Sequence, residues 1–170
     1  MADMDDVEGT RDDISCPGEQ RPVRILIADD EPVHLFLLEM FLKKWGYQVI
    51  CVESGNEAWQ ILDGEDSPRM AILDWQLPGM DGIEICRAVR RSEKRAYTYI
   101  LLLTARAQKA DIQMGLAAGA NDYLIKPYDP EELRKRVLAA CKQLESPADL
   151  PSSEDNRNPG DAGIVAVRGS

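Results

Sequence analysis

Met70-Ala71-Ile72-Leu73-Asp74-Trp75-Gln76-Leu77-Pro78-Gly79-Met80-Asp81-Gly82 is an apolar run that stops on one carboxylate and passes into a Pro/Gly turn. A short apolar run bounded by turn residues reads as a buried strand, which puts Asp74 at the strand's carboxyl end. In an open parallel sheet that is the edge where ligands bind. The question for the rest of the chain is therefore what else reaches that edge.

Upstream, Val23-Arg24-Ile25-Leu26-Ile27-Ala28 is a β-branched run that stops at Asp29-Asp30-Glu31-Pro32. Pro32 suits the first turn of a helix, where its missing N–H costs nothing, and the preceding acids favour a helix N-terminus. That helix is predicted to reach about Trp45 and to stop at Gly46. Tyr47 to Val52 is a second strand, followed by a short helix to Leu62 with Ser54 as N-cap and Glu57 completing a capping box. Downstream of the strand ending at Asp74, a helix is predicted over 83–91, with Ile83, Cys86 and Val89 inward and Arg87, Arg90 and Arg91 on the wet side. Thr98 to Leu103 is the fourth strand and ends at Thr104. A helix from about Gln108 to Ala118 closes at Gly119, with Gly115 costing roughly 1 kcal/mol inside it. Tyr123-Leu124-Ile125 is a fifth strand ending at Lys126-Pro127, and Asp129 caps a last helix running from Pro130 to about Leu144.

Five strands alternating with five helices imply an α/β fold, a parallel sheet covered on both faces by right-handed crossovers. The strands are nearly all-apolar, as burial on two sides requires. A chain of 170 residues, 44% hydrophobic and 29% charged, suits one globular domain with some unpacked sequence. The expected division is an acidic disordered tail at 1–21, a domain at 22–145 and a second disordered tail at 146–170, whose one apolar patch is Ile164-Val165-Ala166-Val167.

Charge and composition remove several function classes. Net charge is -10, but residues 22–145 carry 19 acids against 16 bases, so most of the excess lies in the flanking segments. No basic stripe exists, which argues against direct nucleic-acid binding. There is no membrane-length apolar run and no secretory signal at the N-terminus, so the expected location is the cytoplasm. Cys16, Cys51, Cys86 and Cys141 are scattered without zinc-ligand spacing and read as reduced thiols. His34 is the only histidine and is read as an ordinary helix residue, which excludes triad chemistry.

Asp29-Asp30, Asp74, Thr104 and Lys126 each end a different predicted strand, so three carboxylates, a hydroxyl and an ammonium meet at one rim. Three close carboxylates repel and raise one another's pKa unless a cation neutralises them. An all-oxygen cluster that keeps some waters suits Mg²⁺, Mn²⁺ being the other cation it admits, rather than zinc. A bound cation and Lys126 together would hold a dianionic phosphoryl group beside a nucleophilic carboxylate, and the expected product is an aspartyl phosphate.

At this point the sequence closely resembles the receiver domain of two-component response regulators. The resemblance covers about residues 22–145 and rests on Asp29-Asp30, Leu73-Asp74, the Leu77-to-Gly82 turn, Leu103-Thr104-Ala105, Gly119-Ala120-Asn121-Asp122-Tyr123-Leu124 and Lys126-Pro127, in that order. It implies a flavodoxin-like sheet of strand order 2-1-3-4-5. It also implies Asp74 as phosphoacceptor from a phosphohistidine, and Asp30, Asp29 through water, Asp74 and the Gln76 carbonyl as the magnesium site. Lys126, in a cis Lys126-Pro127 bond, would hold a phosphoryl oxygen, Thr104 would donate its hydroxyl to the phosphate, and Tyr123 would be the switch aromatic that turns when Thr104 shifts. Gln76 and Arg106 sit where the family tunes dephosphorylation.

The implied function is a phosphorylation-dependent switch that signals by protein contact with an unknown downstream protein, and not an enzyme on outside substrates. Two alternatives stay open: a phosphorylation-independent interaction module, and the N-terminal receiver fragment of a longer regulator. A metal-dependent phosphohydrolase fits less well, because no acid/base Asp follows two residues after Asp74 and no inserted cap encloses a substrate. On the first helix, Val33, Leu37, Leu38, Phe41, Leu42 and Trp45 are predicted to face the core. Leu35, Phe36 and Met40 fall off that face and are predicted to form the docking patch for a histidine kinase or histidine phosphotransfer protein.

Overall fold

The computed structural model describes residues 22–145. The tails predicted for 1–21 and 146–170, the Ile164-to-Val167 patch and Cys16 lie outside the described residues. Strands β1 (Arg24–Ala28), β2 (Gln48–Val52), β3 (Met70–Asp74), β4 (Tyr99–Thr104) and β5 (Asp122–Ile125) alternate with helices α1 (Pro32–Lys44), α2 (Gly55–Asp63), α3 (Gly82–Arg91), α4 (Lys109–Ala117) and α5 (Pro130–Glu145). All strand pairs are parallel and the order is β2-β1-β3-β4-β5. The fold expected from the alternating pattern is the fold observed, with each predicted element present within one or two residues of its ends.

The period-2 alternation of a strand divides the core in two. Ile25, Ile27, Met70, Ile72, Leu101, Leu103 and Leu124 pack with Leu38 and Leu42 of α1 and Leu133 and Val137 of α5. Leu26, Ala28, Ala71, Leu73, Ile100 and Leu102 pack on the other side with Ala58 and Leu62 of α2 and Ile83, Cys86 and Val89 of α3. Every residue of β3 and β4 is buried, so these two interior strands have no solvent face to mark with a polar residue. This parity also sets the site: Asp29 continues the register of Ile25 and Ile27, Asp74 that of Met70 and Ile72, and Lys126 that of Leu124. All three therefore project toward the face covered by α1 and α5.

The caps follow the expected chemistry with one exchange of roles. Ser54 accepts from the Glu57 N–H at 3.2 Å, while the Glu57 carboxylate takes the Ser54 hydroxyl and the Glu53 N–H, not the N–H of Ser54 itself. The complete reciprocal box is at α3, where Asp81 and Glu84 exchange side-chain to backbone bonds at 2.8 Å. The N-terminus of α2 is wedged against the loop after β3. A Cβ on Gly55 would lie 1.5 Å from the Met80 carbonyl oxygen, and backbone meeting backbone cannot be relieved by a rotamer change. Gly55→Ala is therefore expected to destabilise the domain by about 3 kcal/mol, the upper range of overpacking costs, measured as a lower urea midpoint with unchanged slope.

Two sequence readings need correction. The phase of α1 differs from the predicted one: Leu35 is buried (8% exposed) with Leu38 and Leu42, whereas Val33 (73%) and Leu37 (39%) face solvent. Phe36 (62%) and Met40 (44%) are exposed as predicted, so the outward patch consists of Val33, Phe36, Leu37 and Met40, without Leu35. Nine of this helix's thirteen residues are apolar if Pro32 is counted, so hydrophobic periodicity alone cannot fix its rotation. Arg90, expected on the wet side of α3, is half-buried. Its guanidinium donates to the carbonyls of Gly119, Ala96 and Thr98 and to Asn121 Oδ1, over 2.6–2.9 Å, and ties the end of α3 to the loops preceding β4 and β5.

Candidate functional site

Each site residue arrives where a strand ends. The Asp29 N–H still donates to Val52 O at 3.2 Å, the Trp75 N–H to Leu103 O at 2.8 Å and the Lys126 N–H to Thr104 O at 2.8 Å. These last ladder bonds fix the backbone from which the polar side chains project. Close packing under the β3 edge holds the carboxylate strand in place, since a Cβ on Gly82 would lie 2.7 Å from the Asp74 carbonyl oxygen.

Lys126 Nζ lies 3.0 Å from Asp29 Oδ2 and 3.0 Å from Asp74 Oδ2. Asp30 completes a set of three carboxylates whose oxygens lie within 4.8 Å of one another. Asp29 is fully buried, Asp74 nearly so, and Asp30 is exposed. A cavity of about 400 Å³ opens beside them, lined by Asp30, Asp74, Gln76, Thr104, Arg106 and Lys126 among others. Thr104 Oγ1 accepts the Arg106 N–H at 2.9 Å, which leaves its own proton free to be donated. The Gln76 N–H donates to Asp74 Oδ1 at 3.3 Å while the Gln76 side chain is exposed. Arg106 lies over the Trp75 ring, its guanidinium carbon 5.5 Å from the centroid, and pairs with Asp111 at 3.6 Å.

The two buried carboxylates, Asp29 and Asp74, shift in opposite directions. Burial pushes Asp29 up, but bonds from His34, the Glu31 N–H and Lys126 outweigh it and hold its pKa below the ordinary value. For Asp74 burial wins over the Lys126 contact, and its pKa is raised. Burial pushes Lys126 down, and its two carboxylate partners more than reverse that, so its pKa is raised. The Lys126-Pro127 bond is cis.

Tyr123 stands apart from this cluster. It is half-buried against the core on the α2/α3 side, with the Arg136 guanidinium carbon 6.0 Å from its ring centroid. Arg136 in turn holds Asp122 through two contacts of 2.7 Å.

Two contributors were missed in the sequence. His34 Nδ1 bonds to Asp29 Oδ2, and His34 Nε2 lies 2.7 Å from the Tyr128 hydroxyl. The available signal was spacing: with Pro32 starting the helix, His34 falls in its first turn, above the strand that delivers Asp29.

The receiver-domain model of response regulators matches residues 25–138. The chain belongs to the response regulator receiver domain family. The alkaline phosphatase synthesis transcriptional regulatory protein PhoP of Bacillus subtilis (strain 168) is 40% identical over 131 residues, which are 77% of this chain and 52% of that protein. The chain thus matches about half the length of this curated relative. Among solved structures, the receiver domain of sensor histidine kinase PA1611 from Pseudomonas aeruginosa PAO1, which has a magnesium ion coordinated in its active-site cleft, is 31% identical. It aligns with TM-score 0.66 over 72% of this chain and 99% of that one. The chemotaxis response regulator CheY4 of Vibrio cholerae is 30% identical with TM-score 0.66, over 71% and 99% of the two chains. Receiver domains are signalling domains that work with histidine kinases or phosphotransfer proteins, and the acidic cluster of this one has the donor set for a divalent cation. Among the described residues, no helix is long and apolar enough to cross a membrane.

Proposed function

We propose that this receiver accepts a phosphoryl group on Asp74 from a phosphohistidine donor and signals by the change in surface that follows. The observation that carries the reading is Lys126 bridging Asp29 and Asp74 at 3.0 Å each, beside an open polar cavity. A carboxylate oxygen of Asp74 bonds to phosphorus as the phosphorus–nitrogen bond breaks, and the electron pair leaves on the donor imidazole. Lys126 and Thr104 are placed to take phosphoryl oxygens, and the backbone N–H of Gln76 steadies the attacking carboxylate.

Asp30, Asp74 and the Gln76 carbonyl would hold Mg²⁺ directly and Asp29 through water; hard oxygen donors fit that ion, and Mn²⁺ as well. The cation supplies charge neutralisation to the transferring group. Later attack by water on phosphorus restores Asp74 and releases phosphate, so turnover is confined to the chain's own carboxylate. Tyr123 is the expected reporter of the switch through Thr104. We place the protein in the cytoplasm, where histidine donors charged from ATP reside.

The direct test uses a small acyl phosphate with Mg²⁺. The wild type should gain the mass of one phosphoryl group, labile to hydroxylamine. No gain in folded protein with cation present would favour the phosphorylation-independent module.

For the donor contact we propose the outward side of α1, through Phe36 and Met40 with the neighbouring Val33 and Leu37. An apolar groove of about 550 Å³ lined by Leu37, Phe41, Tyr128 and Pro130 continues this surface to Lys126, as a helix presenting its histidine to Asp74 requires. Phe36→Asp with Met40→Asp is expected to slow transfer from the cognate histidine donor at least about tenfold, since losing an apolar anchor costs more than about 1 kcal/mol. Transfer from the small acyl phosphate should stay unchanged. Equal rates from the protein donor would remove α1 from the interface.

A further inference from the structure

Asp29 is fully buried and its three hydrogen-bond donors come from three places: the Glu31 N–H reaches Oδ1 at 2.9 Å, while Lys126 and His34 both reach Oδ2. A carboxylate can only accept, so His34 Nδ1 carries the proton. With two donors Oδ2 is saturated, and Oδ1 keeps one lone pair for a cation or its water. His34 is itself held from behind, because Nε2 lies 2.7 Å from the Tyr128 hydroxyl and the two rings meet edge-on with centroids 5.6 Å apart. Tyr128 stands two residues past Lys126, so α1 and the segment after β5 clamp one carboxylate between them.

We infer that His34, backed by Tyr128, is a positioning residue of the cation site: it fixes the plane of the Asp29 carboxylate so that Oδ1, and not Oδ2, faces the ion. Without the Nδ1–H, Oδ2 is held by Lys126 alone and the carboxylate plane is less firmly fixed, so the ion must pay for ordering it. Outer partners of direct ligands typically contribute 10–100-fold in metal affinity. Asp29 reaches the ion through water and Lys126 still holds Oδ2, so the lower end applies.

The inference rests on Asp29 belonging to the cation site, and the measurement separates the two. Mg²⁺ alone is titrated into the full chain and followed by calorimetry and amide NMR, with no phosphoryl donor. His34→Ala should raise the Mg²⁺ dissociation constant about tenfold. His34→Asn, whose side-chain amide N–H sits where Nδ1–H does, should restore affinity to within about threefold of wild type. Tyr128→Phe, which keeps the ring and removes the hydroxyl, should weaken binding by an intermediate factor. A purely structural His34 would lower thermal stability in all cation-free variants without an Asn rescue of affinity.

An unchanged dissociation constant in His34→Ala, or equal weakening in the Ala and Asn variants, overturns the inference. If His34→Ala does not fold, Tyr128→Phe decides: unchanged affinity overturns it and weakened affinity supports it. Wild-type protein that binds no Mg²⁺ would instead overturn the cation site itself.

Discussion

Asp74→Asn is expected to abolish phosphoryl acceptance and to leave a domain that is more stable, not less. The amide has no nucleophilic oxygen of comparable reactivity, so labelling from either a histidine donor or an acyl phosphate should fall to background, a loss of at least about a thousandfold if the nucleophile is the essential group. Stability should move the other way. The Asp74 carboxylate has its pKa raised, first by burial, so its charged form is less favourable in the folded state than in the unfolded one. That penalty develops as pH rises through the unfolded value near 3.9 and is complete above the folded value, hence present at pH 7. A neutral isostere that still accepts from Lys126 removes it. An increase of about 1 kcal/mol, or roughly 3–6 °C in the melting temperature of cation-free protein, is expected. Mg²⁺ should stabilise the variant less than it stabilises wild type. A variant that still labels would move the acceptor away from Asp74.

Lys126→Met tests the other half of the site. Removing the ammonium leaves Asp29 and Asp74 facing each other without their shared partner. Breaking a buried ion pair typically costs 3–5 kcal/mol; Lys126 retains some solvent contact, with 19% of its side chain exposed, so about 2 kcal/mol is expected without cation at pH 7. The sign with pH distinguishes this cause from lost packing. In wild type the raised Lys126 pKa contributes stability that is present below the unfolded value near 10.4 and lost as pH rises through the folded one. In the variant both carboxylates lose the lowering contact of Lys126, so its deficit should shrink as pH falls through the carboxylate range. Added Mg²⁺ should recover most of the deficit, because it supplies the missing charge. Phosphoryl transfer should stay slower by about a hundredfold even then, the usual effect of removing one donor to the transferring group. A deficit independent of both pH and Mg²⁺ would make Lys126 a packing residue.

The sheet was legible in the sequence because two-sided burial writes uninterrupted apolar runs, and the site because each run stops on a polar residue. Asp29, Asp74 and Lys126 could be placed together from strand ends alone, since parallel strands share one carboxyl edge. Helix α1 was harder to read. Its apolar residues surround it, so its rotation depends on tertiary contacts, one of which is polar. In the observed phase His34 turns inward toward Asp29, Leu35 lies in the core, and Val33 and Leu37 face out of it. Reading His34 as an ordinary helix residue left that polar contact out of the phase. Arg90 was misread for a related reason: its hydrogen-bond acceptors are mostly loop carbonyls, and no side-chain pattern advertises them. The different fates of Asp29 and Asp74 follow from donor count, three against two, and those donors come from segments distant in sequence as well as near.

The central claim is that Asp74 receives a phosphoryl group whose arrival is felt at Thr104 and Tyr123. The most direct test is an amide NMR titration with beryllofluoride and Mg²⁺, in which the trifluoride stands in for the phosphoryl group on the carboxylate. Saturable shifts at Asp74, Thr104 and Tyr123 in wild type, all absent in Asp74→Asn, are the predicted result. A folded wild-type protein that shows no shifts with Mg²⁺ and beryllofluoride in excess, or shifts that persist in Asp74→Asn, would contradict it.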